Sequence, residues 1–291
     1  MNKTIRKAFS LIELSVVILI IGILVAGVTQ SSRLVSKMRL QTAQNLTNSS
    51  PVPSIKDLQL WLETSLERSF NDAEEQDATD ITVWYDNNIQ SSNKNNALPP
   101  ATVNRPKFYE NVFNGSIPGI RFDGTNDYLT YDASSLINSS YTFIVVEQRR
   151  SAGNNIYFIG GTTSSGTNGN FHMGYSNSTT IRVGQYGVPG VNLFDYSIPA
   201  YTSPNPIMHT FIHSNVDGKK YWVNGGNTPE ATSANNSPLT AYTIPVIGQA
   251  ENTLFYSGDI AEIIIFSRAL KTEERQSIET YLSKKYNIKI S

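Results

Sequence analysis

The chain has 291 residues, with 23 Lys and Arg against 24 Asp and Glu and a formal net charge of −1, so nothing global points to nucleic acid. Cysteine is absent, which excludes disulfides, thiolate metal sites and a cysteine nucleophile. The charge is unevenly spread: residues 1–50 hold Lys3, Arg6, Lys7, Arg33, Lys37 and Arg39 against Glu13 alone, a balance of +5, and the remainder carries −6.

The first predicted element is a helix. Residues 9–28 form an apolar run in which Glu13 is the only charge. At ~1.5 Å per residue that run covers ~30 Å, one hydrocarbon core. The basic residues before it keep the N-terminus cytoplasmic and send the chain beyond Val28 outward, although Arg33, Lys37 and Arg39 then lie on the far side. A secretory signal peptide would have a shorter apolar core and a small-x-small cleavage site, for which Ala26-Gly27 is a weak match. A plain anchor has no use for Glu13. A carboxylate in hydrocarbon costs about 2–3 kcal/mol, so this one predicts a partner. The helical pattern continues through Leu34, Val35, Met38 and Leu46 and ends at the polar cluster Asn48-Ser49-Ser50 before Pro51 and Pro53. The expectation is a helix of ~60 Å over 9–50, then a linker at 51–54.

The string Lys7-Ala8-Phe9-Ser10-Leu11-Ile12-Glu13-Leu14 resembles the class III signal of type IV pilins and type II secretion pseudopilins, over roughly residues 1–30. The resemblance implies a leader at 1–8, cleavage between Ala8 and Phe9 by a prepilin peptidase on the cytoplasmic side, and N-methylation of Phe9. It also implies that Glu13, fifth in the mature chain, pairs with the terminal amine of a neighbouring subunit or its own. That amine has a reference pKa near 8, and Glu13 stands one helical turn from it. Ala8 occupies a position where the family usually has Gly, and the span lacks the proline of many major pilins.

From residue 55 the apolar period turns towards two. Strands are predicted at 58–63, 120–122, 141–146, 156–159, 181–183, 208–212, 221–223 and 260–266, separated by turn signals such as Asp123-Gly124, Asn154-Asn155, Asp217-Gly218 and Gly225-Gly226. A final helix is predicted at 271–286, with Thr272 as cap, Glu273 and Glu274 in its first turn, Lys284 and Lys285 in its last, and Ile278, Tyr281 and Leu282 as its apolar stripe. The expected class is mainly β, a two-sheet antiparallel sandwich behind a long N-terminal transmembrane helix, closed by a C-terminal helix.

Several segments in order resemble the concanavalin A-like, laminin-G-like jelly roll: Leu60-Trp61-Leu62, Val83-Trp84-Tyr85-Asp86-Asn87-Asn88, Arg105-Pro106-Lys107-Phe108, Gly119 to Leu129, and Gly258 to Leu270 with the helix behind it. The resemblance covers 55–291 and implies two sheets of six or seven strands each, in place of the usual small pilin sheet.

Glucanases of that superfamily carry E-x-D-x-x-E on a strand. The nearest string here, Glu75 to Asp80, lies in a polar stretch without alternation, so no enzymatic activity is expected. Asp123, Asn126 and Asp127 offer oxygens for calcium, against a turn that uses the same residues. Asp259 and Glu262 read as structural, and His209 and His213 as satisfied sandwich histidines rather than a metal pair. A glycan platform would draw on the Asn- and aromatic-rich middle of the chain, with Asn170, His172, Tyr175, Tyr186 and Tyr196 as candidates beside Asn168, Phe194 and Tyr201.

The expected function is a minor type IV pilin-like filament subunit presenting a lectin-like module for adhesion. Its partners would be other pilin subunits, the prepilin peptidase, the inner membrane, and glycans or surface proteins. Alternatives are a secretion pseudopilin whose head touches cargo or the channel, a pilus-borne glycan hydrolase, and an anchored protein that never assembles. The expected location is the inner membrane as precursor, then an extracellular filament or periplasmic pseudopilus.

Overall fold

A computed structural model describes residues 11–163, 166–187 and 189–291. Helix α1 (Leu11–Asn48) is one continuous element of 38 residues. Its apolar side chains from Leu11 to Val28 are exposed, and only near its end do Ala43 and Thr47 become buried. The hydroxyls of Ser15, Thr29, Ser31 and Thr42 donate to carbonyls three or four residues back, so the helix satisfies its own polar groups. A turn at Val52–Ser54 comes next, with Val52 fully buried.

The strands in chain order begin with β1 (Leu58–Glu63), β2 (Thr79–Asp80), β3 (Lys107–Phe113), β4 (Ile117–Asp123), β5 (Leu129–Thr130) and β6 (Tyr141–Arg149). Then come β7 (Ile156–Gly161), β8 (Phe171–Asn177), β9 (Thr180–Gln185), β10 (Leu193–Ser197), β11 (Ile207–Ser214) and β12 (Gly218–Val223). The last are β13 (Ala231–Ser233), β14 (Pro245–Ile247), β15 (Gln249–Ala250), β16 (Leu254–Phe255) and β17 (Ser257–Phe266), before α2 (Thr272–Tyr286).

One sheet runs β13-β12-β11-β6-β17-β4-β3-β2, with β1 also on β17; the other runs β10-β9-β8-β7-β14-β5. Their facing sides enclose the main core, including Phe143, Val145, Phe158, Phe171 and Ile263. The larger sheet has nine strands where six or seven are expected.

That sheet is covered on its other side too. Ile144, Val146, Ile264 and Phe266 alternate with the inner residues and pack against Ile278, Tyr281, Leu282 and Tyr286 of α2, with Ala43 of α1 in the same cluster. This makes β6 buried at all nine positions and adds a helical third layer. Thr272 is expected to cap α2, but the cap position falls on Lys271, whose N–H donates to Glu274 at 2.9 Å. Arg268 grips Glu274 at 2.7 and 2.8 Å and holds its pKa down near 2.

Strand β17 carries the junction. It pairs with β4 through Ser257 to Ile260 and with β1 beyond, and its register on β6 slips between Ile260 and Glu262. The extra residue is Ala261. Such a bulge re-aims the next side chain, and here it puts Glu262 on the helix-covered side.

Candidate functional site

The end of α1 is tied into the head by a buried polar cluster. Lys285 Nζ lies 3.0 Å from Glu63 Oε2 and 2.9 Å from Glu262 Oε2, and all three side chains are fully buried. Glu262 also accepts from Trp61 Nε1 at 2.8 Å, Tyr286 OH at 2.8 Å and Tyr281 OH at 3.0 Å. Glu63 accepts from the N–H groups of Ser65 and Leu66 and the hydroxyls of Ser65 and Ser69, at 2.6–2.9 Å. Burial raises the Glu63 pKa, but Lys285 and the Ser65 donors outweigh it and the net shift is downward. Burial lowers that of Lys285, and the two carboxylates more than reverse it. Helix α1 joins through Thr47, whose hydroxyl lies 3.2 Å from both Tyr281 OH and Ser65 Oγ, and through Gln44, which donates to Ser65 O at 2.9 Å.

Beside this junction a groove of about 890 Å³ opens between α1 and the head. Arg33, Lys37, Leu40 and Gln44 line the helix side; Glu67, Glu75, Glu110, Phe108 and Ser116 line the head side. Ser116 Oγ is buried without a hydrogen-bond partner. Burial, with the nearby charges of Glu67, Asp72 and Glu63, pushes the Glu75 pKa up to about 7. Among the described residues no ion pair joins Arg33 or Lys37 to these carboxylates.

Ala8 and Phe9, the expected cleavage residues, lie outside the described residues. Glu13 sits in the first turn of α1 on its uncovered surface. At the expected calcium loop, Asp123 Oδ1 accepts from the N–H groups of Thr125 at 2.7 Å and Asn126 at 3.2 Å, and Asp127 Oδ2 accepts from Asp123 N at 3.0 Å. Asn126 donates to Val103 O at 2.7 Å, so the Asp123 and Asp127 side chains close the turn and that of Asn126 ties it to the segment at Val103. Among the described residues no cluster of three or more His, Cys, Asp or Glu is placed to hold a metal.

The five glycan candidates do not form one surface. Asn170 is buried, donating to Thr163 O and accepting from Thr243 N at 2.9 Å. Tyr175 is fully buried in the core between the sheets. Tyr196 is half-buried against the same core. Buried His172 meets half-buried Tyr186 with ring centroids 5.7 Å apart, and buried Tyr157 lies 5.5 Å from His172. Burial holds the His172 pKa down near 4, and its Nε2 has no partner.

The core also holds a carboxylate that the strand pattern does not reveal. Glu147 is fully buried between the sheets and accepts from the hydroxyls of Tyr175 and Tyr256 and from His209 Nε2 at 2.9 Å. His209 Nδ1 in turn accepts from Tyr221 OH at 2.7 Å. Elsewhere Asp259, also buried, takes Arg121 Nε at 2.6 Å and Gln148 Nε2 at 3.0 Å. Asp86 holds Trp61 N at 3.0 Å and Asn88 N at 2.9 Å, so the Trp84–Asn88 motif clasps β1 to the loop beyond it.

The family model of the prokaryotic N-terminal methylation motif matches residues 3–29. No curated protein matches the chain. The fold is similar to that of a GH54 α-L-arabinofuranosidase soaked with a cyclic sulfate inhibitor, at TM-score 0.52 and 14% identity over 71% of this chain and 51% of that one. It is also similar to a Trypanosoma rangeli sialidase in complex with 2,3-difluorosialic acid, at TM-score 0.51 and 12% identity over 86% of this chain and 38% of that one. A mutant of that sialidase displaying trans-sialidase activity gives TM-score 0.54 at 13% identity. The chain thus spans about half, or less, of these proteins' length, and the likeness is one of fold. It corrects one expectation. The missing E-x-D-x-x-E string is the ground for expecting no enzymatic activity, yet chains named as glycoside hydrolases contain this sandwich. The missing motif therefore does not exclude catalysis.

Proposed function

We propose that this chain is a type IV pilin-like filament subunit, present in few copies at or near a tip, whose β-sandwich head engages glycans. The methylation motif at residues 3–29 carries the assembly part, because it leads into an apolar helix long enough to cross a membrane. Such a precursor fits the inner membrane with its N-terminus cytoplasmic. After cleavage, Glu13 meets the new α-amine of a neighbour, and pairing in low dielectric sets the register between staggered helices. The buried cluster around Lys285 then makes the head move with the helix wherever it is packed. The glycan part rests on the likeness to an arabinofuranosidase and sialidases and on the half-buried ring of Tyr186, which buried His172 supports from beneath. A head of some 240 residues crowds a filament of identical subunits, which favours a rare or tip position.

The test has two arms. Glu13→Ala should leave membrane insertion intact and reduce incorporation into sheared filaments about tenfold or more, as loss of a buried charge partner implies; unchanged incorporation refutes the assembly reading. The full chain in detergent micelles, presented with arabinosyl and sialyl oligosaccharides, reads the second arm. Retention of intact sugar supports recognition, release of monosaccharide makes the head a hydrolase, and no response leaves a head that contacts protein.

A further inference from the structure

Helix α1 has two differently built faces beyond the apolar run. At about 100° per residue, Arg33, Lys37, Leu40 and Gln44 fall on one side, and Val35, Met38, Arg39 and Thr42 fall roughly 180° away. The first side lines the groove against the head. The second is bare: Val35 is 47% and Met38 62% exposed, and Arg39 has no ion pair among the described residues. The groove has the opposite deficits. Its head wall offers Glu67, Glu75 and Glu110, which make no ion pair among the described residues, and the unpartnered buried hydroxyl of Ser116.

We propose that the groove between α1 and the head is the docking site for the back face of α1 from a second copy of this chain, with Arg39 of the incoming helix on the Glu67–Glu75 wall. The proposal rests on the filament reading given above and adds the surface that joins consecutive copies. Groove and back face are different patches of one molecule, so the contact is heterologous and does not close on itself. It lets the few copies at or near a tip stack one on the next. Charge selects the orientation. The groove's own Arg33 and Lys37 stand on the helix side, so an incoming cation is drawn to the head side, where the excess is negative.

The absence of cysteine makes the test clean. Two differently tagged copies are co-expressed, one with Glu75→Cys and one with Arg39→Cys, and linked with a short bis-maleimide in isolated filaments. The expected result is a mixed-tag dimer at least about fivefold more abundant than with Lys37→Cys as the second copy, because position 39 of a docked helix faces the Glu75 wall and position 37 lies on its opposite side. A charge exchange adds a second readout: Arg39→Glu lowers recovery of mixed-tag copies, and Glu75→Arg in the receiving copy restores it. If both copies enter filaments but the Arg39 link does not exceed the Lys37 control, and the exchange restores nothing, the docking is overturned while the filament reading stands. If neither copy enters filaments even with native side chains, the filament reading fails and the docking with it.

Discussion

Lys285 stands between two carboxylates and offsets one of their two charges in a place that water does not reach. Lys285→Met would leave Glu63 and Glu262 facing each other without a cation. Their hydrogen bonds satisfy lone pairs but do not cancel charge, so one of them must take up a proton or the layer must open. Breaking a buried pair in this way costs about 3–5 kcal/mol, and the midpoint of urea unfolding of the full chain in micelles measures it. In the variant the stranded carboxylates have raised pKa values, so its deficit is largest at neutral pH and shrinks as pH falls and they protonate. A deficit that stays constant between pH 8 and pH 5 would show that the carboxylates are not the cause. At this scale the sequence was readable where a charge broke an apolar run, as Glu13 does. It was opaque where a charge sat in strand alternation. Glu63 looks like an ordinary solvent-facing position, because alternation cannot tell an outer face from one covered by a third layer, and Glu147 continues the inward row of Tyr141, Phe143 and Val145, where a charge reads as the end of the buried strand.

Among the elements, the connection between α1 and the sandwich departs most from its sequence signature. Pro51 and Pro53 mark a break in helix, and a break suggests a loose linker. Instead Val52 and Ile55 are buried, and Ala43 and Thr47 reach back into the core of the head. A version trimmed to start at Ser36 keeps these contacts; one starting at Val52 loses the Ala43 methyl and the hydrogen bonds of Thr47 and Gln44. At about 1 kcal/mol for each of the three hydrogen bonds and for the methyl, the shorter version should be less stable by about 4 kcal/mol. Thermal unfolding of the two soluble versions decides it, and equal midpoints would mean that the helix end only rests on the head. Strands with long apolar runs, such as β6 and β17, were legible. Strand β8 was not, because His172, Gly174, Ser176 and Asn177 break its pattern. Gly174 is there for space: a Cβ would come within 2.4 Å of the Tyr157 backbone.

For the molecule as a whole, class and order of elements came out of the sequence because apolar periodicity and a single charge in an apolar run are local signals. The third layer and the groove did not, because they arise only where distant segments meet. That groove gives the assembled state a dependence on pH that the single subunit has with opposite sign. The groups facing Glu75 are Glu67, Asp72 and Glu63 on the acidic side, with Glu110, Arg33 and Lys37 lining the same groove. In the isolated subunit its pKa stands near 7 against 4.5 for a free glutamate. A raised carboxylate holds its proton better folded than unfolded, so stability is lost as pH rises from 4.5 to 7 and stays lost above. Solvent screening limits this to about 1 kcal/mol or less, and Glu75→Gln should unfold later than the parent at pH 8 and alongside it at pH 4. Docking of Arg39 reverses the preference, because the incoming cation favours ionised Glu75 while arginine itself stays charged throughout. The mixed-tag link formed through other positions, for instance Glu110→Cys with Met38→Cys, should then be about fivefold stronger at pH 8 than at pH 5.5. With Glu75→Gln in the receiving copy that difference should vanish. A link that keeps its full pH dependence in the glutamine variant would assign the titration to another group and remove Glu75 from the contact.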